Sequence, residues 1–232
     1  MIECGNIVRY LLHVIKGNAA YVPPPPEYVV DCLGDLESFL HEEENSLPLL
    51  IRAGLVHAQF ETIHPFLDGN GRVGRLLITF MLTDKQMLHE PVLYLSLFFK
   101  KHRRLYYDRL NGTRKGHGWT EWLDFFLQGV RDTAKQAVQT AIEIDRLFGA
   151  DKEKIERFGR GAPSALLIYQ LAQASPIFSI KHAARESKLS FPTASAAIQR
   201  LSDAGILQES SGKRRDRLFL HAKYLEVLNR DL

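Results

Sequence analysis

Twelve consecutive residues, His64-Pro65-Phe66-Leu67-Asp68-Gly69-Asn70-Gly71-Arg72-Val73-Gly74-Arg75, bring together an imidazole, a carboxylate, three glycines and two arginines. Gly69 and Gly71 give the backbone access to positive φ, so successive N–H groups can converge on one concavity at a helix start. A helix N-terminus carries about half a positive charge, and Arg72 and Arg75, three residues apart, share one helix face. That combination is an anion cradle suited to a polyphosphate. Asp68, just before the cradle, is a hard oxygen donor placed for a Mg²⁺ that bridges phosphates. Imidazoles titrate near neutral pH, so His64 is equipped to accept a proton from an incoming hydroxyl.

Two helices must position these residues. Apolar spacing predicts one from about Leu47 to Thr62, capped by Ser46 and with Leu50, Ala53, Leu55, Val56 and Phe60 inward. A second is expected over residues 70–82, burying Val73, Leu76, Leu77, Phe80 and Met81. Upstream, four prolines in Tyr21-Val22-Pro23-Pro24-Pro25-Pro26 exclude helix and predict an extended stretch, followed by helical spacing from Val29 to Leu40. Residues 91–99, a continuous apolar run, fit a buried strand or a buried helix by periodicity and are read as helix, with further helices over 103–110 and 119–148, the last ending near Gly149.

The motif matches H-P-F-x-[DE]-G-N-G-R-x-x-R at every specified position, and here the sequence resembles the Fic family. The resemblance spans about residues 17–150, including GNAAYVPPPP, LIRAGLVHAQFETI and YLSLFFKKHRRLYYDRL. It implies a mainly α fold, a Fic helical core with a short β flap ending at the proline stretch. The implied activity is protein adenylyltransfer, in which AMP passes from ATP to a Ser, Thr or Tyr hydroxyl of a target protein and pyrophosphate leaves. By the same comparison His64 is the catalytic base and Asp68 the metal ligand. Gly69, Asn70, Gly71, Arg72, Val73, Gly74 and Arg75 bind the phosphates, and Tyr106 borders the adenosine. ATP and Mg²⁺ are the implied cofactors. Residues 1–16 do not resemble the helices and first flap strand that Fic proteins carry there, so a truncated start is expected. No inhibitory [ST]-x-x-x-E-[GN] run is found, which points to an inhibitory partner or a missing segment.

Beyond residue 150 the balance of charge changes. Residues 151–232 hold 14 Lys or Arg against 9 Asp or Glu, whereas residues 1–150 hold 16 against 18. Helical patterns over 163–174 and 179–187, a turn at Lys188-Leu189, a helix capped by Ser190 with Pro192 in its first turn, and a basic hairpin over 207–220 resemble a winged helix-turn-helix. Ala196, Ala197, Ile198, Leu201 and Ile206 are its expected packed side. Thr193, Ser195, Gln199 and Arg200 would face a DNA groove, and Lys213, Arg214, Arg215 and Arg217 its phosphates. The expected organisation is therefore a Fic domain over 1–150, a linker over 151–162 and a winged helix-turn-helix domain over 163–232. Expected partners are a hydroxyl-bearing target protein, DNA, an inhibitory partner and a second copy in a homodimer.

No run of 18 apolar residues occurs, and the first fifteen residues carry Glu3, Arg9 and His13 where a signal peptide would be apolar. A cytoplasmic protein without a membrane span is the expectation. Cys4 and Cys32 suit neither a disulfide framework nor a metal site. An alternative to the enzyme is an inactive, truncated Fic protein whose C-terminal domain acts as a DNA-binding or partner-binding regulator.

Overall fold

The computed structural model describes residues 21–42, 46–88, 94–212 and 216–230. Cys4, the flap residues before Tyr21, the start of the 91–99 run, and Lys213, Arg214 and Arg215 lie outside these. The chain divides into two compact units, Met1–Ala137 and Val138–Leu232.

In the first unit, Tyr21 to Pro25 is extended, with Pro25 at φ −55° and ψ 147°. Helix α1 covers Pro26–His41, so the last proline of the run belongs to a helix after all. At the first helical position its missing N–H costs nothing and its fixed φ is already helical. Helices α2 (Leu49–Ile63), α3 (Asn70–Asp84), α4 (Leu95–Lys101) and α5 (Arg103–Arg114) follow, and α6 runs Trp119–Glu156. No strand occurs in this unit among the described residues, so the expected β flap has no described counterpart.

Helix α2 packs against α6 near its N-terminal end. Gly54 provides the close approach: a Cβ there would stand 3.0 Å from Leu123 Cδ2 and from Phe126 Cδ1. Its carbonyl accepts the indole N–H of fully buried Trp122 at 2.9 Å. Around this contact Trp122, Phe126, Leu110, Ile78 and Leu82 exclude water, each side chain contributing about 1.5–3 kcal/mol when fully buried.

Helix α3 departs from its expected orientation. Val73, Leu76 and Phe80 are exposed, while Gly74, Ile78 and Leu82 face inward and Leu77 and Met81 are half-buried. The apolar residues of this helix cover more than one face, so their spacing did not identify the one against α2. The small Gly74 did, because only there can α2 side chains pack directly on the α3 backbone.

The second unit is built on the C-terminal half of α6. The helix does not stop near Gly149, a glycine with open space around it, but continues to Glu156. Ile155 is fully buried and Asp151 nearly so, within the stretch expected as a linker. A 3-10 turn (Gly159–Gly161), α7 (Ala162–Ala174), β1 (Ile177–Ser179), α8 (Ile180–Glu186), α9 (Phe191–Asp203), β2 (Gln208–Glu209), β3 (Leu218–Leu220) and α10 (Ala222–Asn229) complete it. The strands form an antiparallel sheet in the order β1-β3-β2, with Leu220 opposite both Ile177 and Gln208. Ser179 and Ser190 cap α8 and α9 by accepting the N–H groups of His182 and Thr193. On α9 the inward residues are Ala194, Ala197, Ile198 and Leu201, while Ala196 is exposed, contrary to expectation.

Candidate active site

The motif folds into the connection between α2 and α3. His64 closes α2 as its C-cap in the left-handed conformation (φ 51°, ψ 56°), unusual for a residue with a β-carbon, and its N–H still reaches Phe60 O. Pro65 disfavours αR geometry in the residue before it, so the helix has to end at His64. Gly69, at φ 88°, is the N-cap of α3. Between them Asn70 ties the loop: its Oδ1 accepts Phe66 N–H at 2.9 Å and its Nδ2 donates to Phe66 O at 2.5 Å. Asn70 is thus buried, and its side chain shapes the loop while the first N–H groups of α3, which have no intrahelical partner, remain to meet an anion.

A cleft of about 570 Å³ lies over this turn. Of the residues singled out by sequence, His64, Asp68, Gly69, Asn70, Gly71, Arg72, Arg75 and Tyr106 line it, and Val73 and Gly74 do not. Val73 is exposed, and Gly74 is buried with its Cα side against His57 and Glu61. Asp68 and Arg72 are exposed and paired, Arg72 Nη2 donating to Asp68 Oδ2 at 3.1 Å. No cluster of three or more His, Cys, Asp or Glu is placed to hold a metal among the described residues. Mg²⁺ typically keeps several waters and takes one or two carboxylates plus substrate phosphates, so a lone exposed Asp68 beside a phosphate cradle fits its donor chemistry.

Seven residues that sequence reasoning gave no site role complete the wall: Tyr21, Pro23, Glu61, Leu67, Tyr107, Asn111 and Arg114. Arg114 spans the end of α2, donating from Nη2 to Glu61 O at 2.8 Å and from Nη1 to Asn111 Oδ1 at 3.0 Å, with its guanidinium 3.6 Å from the centre of the Tyr21 ring. The Tyr21 hydroxyl in turn donates to Thr62 O. Below the cleft, His57 is fully buried, parallel to the Phe99 and Trp122 rings, with Nε2 3.0 Å from the Tyr106 hydroxyl. Burial, assisted by Arg75, lowers the His57 pKa to about 4 against the opposing effect of a Gly74 backbone hydrogen bond, so the ring is neutral at physiological pH. Burial raises the Tyr106 hydroxyl and the Glu61 carboxyl above their ordinary ranges, the latter partly offset by Arg114 and Arg75. No local sequence pattern marks Glu61 or Arg114, which reach the cleft through the packing of α2, α3 and α5.

Residues 6–82 match the sequence model of the Fic/DOC family. Over this segment, about a third of its length, the chain is similar to the Fic/DOC family. Its relatives include "Protein adenylyltransferase fic-1" of Caenorhabditis briggsae, 34% identical over 82 residues, covering 35% of this chain and 15% of that protein. "Protein adenylyltransferase Fic" of Culex quinquefasciatus is 32% identical over 116 residues, covering 50% of this chain and 21% of that one. The matched segment is therefore about a fifth or less of those relatives' length. A crystal structure of a Fic family protein from Desulfovibrio desulfuricans G20 superposes with a TM-score of 0.49 at 23% identity, covering 89% of this chain and 58% of that one, a likeness too loose to carry weight.

Proposed function

We propose that the chain is a protein adenylyltransferase. The observation that carries this reading is the placement of an imidazole at the end of α2 and two arginines at the start of α3 on one cleft, joined by a turn whose glycines leave room for phosphates. In the proposed reaction His64 takes the proton of a target Ser, Thr or Tyr hydroxyl. The oxygen attacks the α-phosphorus of ATP, a new O–P bond forms, the bond to the bridging oxygen breaks, and pyrophosphate leaves. The α3 N-terminus, Arg72 and Arg75 hold the phosphates, and Tyr106 with Tyr107 borders the adenosine. Asp68 would hold Mg²⁺, which supplies charge neutralisation to the phosphates when bound.

The purified chain is incubated with α-labelled ATP and Mg²⁺, with and without host lysate, beside His64→Ala. Label on protein that disappears in the variant is the expected result, with nucleotide affinity retained because only the base is removed. Label that persists at full level in His64→Ala refutes the assignment of His64. Folded protein with no label in either supports the alternative, an inactive Fic protein that works as a regulator.

A second reading concerns the C-terminal unit, taken as a winged helix-turn-helix over 163–232 joined through 151–162 to a Fic domain over 1–150. Thr193, Gln199 and Arg200 are exposed on α9 and Ser195 is half-exposed, which supports a DNA-facing surface. If Lys213 and Arg214 contact phosphates, replacing both should lower the slope of log affinity against log salt by about 2. An unchanged slope removes them from the interface. A cytoplasmic location, an inhibitory partner and a homodimer complete this reading.

A further inference from the structure

The cleft wall contains a charge that the proposed reaction does not use. Glu61 lies one turn before the end of α2, is only 5% exposed, and its Oε1 has no hydrogen-bond partner. A buried carboxylate without partners is costly, so its retention calls for a counter-charge. The titratable and charged groups that face it are His57 from its own helix, Arg75 from α3, and Tyr106 and Arg114 from α5. His57 is neutral. Arg114 is committed to Glu61 O, Thr62 Oγ1 and Asn111 Oδ1. Arg75 differs: among the described residues it has no ion-pair partner within 4.0 Å, Glu61 included, and its guanidinium and the carboxylate approach the same point above Gly71. A Cβ on Gly71 would lie 3.0 Å from Arg75 Nη1 and 3.6 Å from Glu61 Oε1, and one on Gly74 would lie 3.0 Å from Glu61 Oε1. Gly71, in the first turn of α3, thus stands where a side chain would meet both carboxylate and guanidinium, and Gly74 where one would meet the carboxylate and His57.

We propose that Glu61 is a positioning residue: its buried carboxylate, acting across Gly71 without direct contact, biases Arg75 toward the orientation in which it meets the terminal phosphates of a nucleotide. The proposal takes the identity of that anion from the adenylyl-transfer reading. The orientation of Arg75 is a property of the free protein. A nucleotide then arrives at an arginine already aimed, in competition with an internal carboxylate, so Glu61 trades affinity for geometry.

The test uses the full chain, Glu61→Gln and Glu61→Asp. In Glu61→Gln, ATP affinity measured calorimetrically should rise about threefold, because a negative charge beside the phosphates is gone, while kcat for transfer should fall about tenfold from misplacement of Arg75. In ¹⁵N-labelled protein without ligand, relaxation of the Arg75 Nε–H resonance should report a more ordered guanidinium in wild type than in Glu61→Gln. Weakened ATP binding with a lowered melting temperature in Glu61→Gln, or an unchanged Arg75 resonance, would overturn the proposal. Should wild type transfer no label while the Arg75 resonance still depends on Glu61, the adenylyl-transfer reading fails and the positioning role stands.

Discussion

Replacing Asp151 by alanine should unfold the C-terminal unit far more readily than its place in a charged, glycine-containing stretch suggests. Its Oδ2 accepts from His221 Nε2 at 2.9 Å and from the Tyr169 hydroxyl at 3.3 Å, and its Oδ1 accepts from Lys154 Nζ at 3.2 Å. His221 Nδ1 accepts the Tyr224 N–H at the start of α10, which assigns the ring proton to Nε2. Lys154 is 44% exposed and can turn to water, but His221 and Tyr169 are buried and cannot. An orphaned buried donor costs about 1–3 kcal/mol, so the two together cost about 2–6 kcal/mol. Burial pushes the Asp151 carboxyl up, yet the hydrogen bonds from His221 and Lys154 prevail and hold it below its usual range. The contribution is therefore complete above the ordinary carboxylate pKa and is lost only as pH falls through the lower folded value. Equilibrium urea unfolding followed by far-UV circular dichroism at neutral pH measures it, with the midpoint expected to fall by roughly 1–3 M at a typical urea dependence. Asp151→Asn, which keeps an accepting oxygen, should lose less. A loss below about 1 kcal/mol in Asp151→Ala would refute the argument that this carboxylate satisfies buried donors.

His57 is depressed to about 4 by burial, so the unfolded chain binds a proton that the fold excludes, and stability should fall by about 3 kcal/mol as pH drops from 6.5 toward 4. His57→Gln should flatten that dependence in unfolding titrations between those pH values, and an unaltered slope would contradict a neutral buried ring. Gly74→Ala gains about 1 kcal/mol of helix propensity but puts a methyl 3.0 Å from Glu61 Oε1 and 3.1 Å from His57 Nδ1. Overpacking costs about 1–3 kcal/mol, so the variant should be less stable than wild type by thermal denaturation. A raised melting temperature would show that the contact relaxes freely.

The motif was legible because its chemistry is local. Loop, cap and helix start lie within twelve residues, and a proline after His64 and a glycine at 69 specify backbone geometry directly. Glu61 and Arg114 were not legible, since each enters the cleft by the way α2, α3 and α5 pack, and neither belongs to a local pattern. The misread face of α3 has the same origin. Val73, Leu76 and Phe80 are spaced as a buried stripe, but α2 packs where Gly74 lets it approach. Likewise Gly149 looked like a helix end, and α6 passes through it because Asp151 and Ile155 are anchored beyond.

By itself the sequence determined the helical class, the order of the helices from α1 to α9, the cap at Ser190 and the twelve-residue motif joining α2 and α3, since these follow from spacing and backbone preference along the chain. The expected cap at Ser46 gave way to Pro48, and β1 and α10 were not foreseen. Only the tertiary structure decided which helix faces meet, which charges are buried without water, and that Arg75 shares its surroundings with Glu61. Those depend on contacts between residues distant in sequence, where close packing and desolvation, and not periodicity, choose the partner.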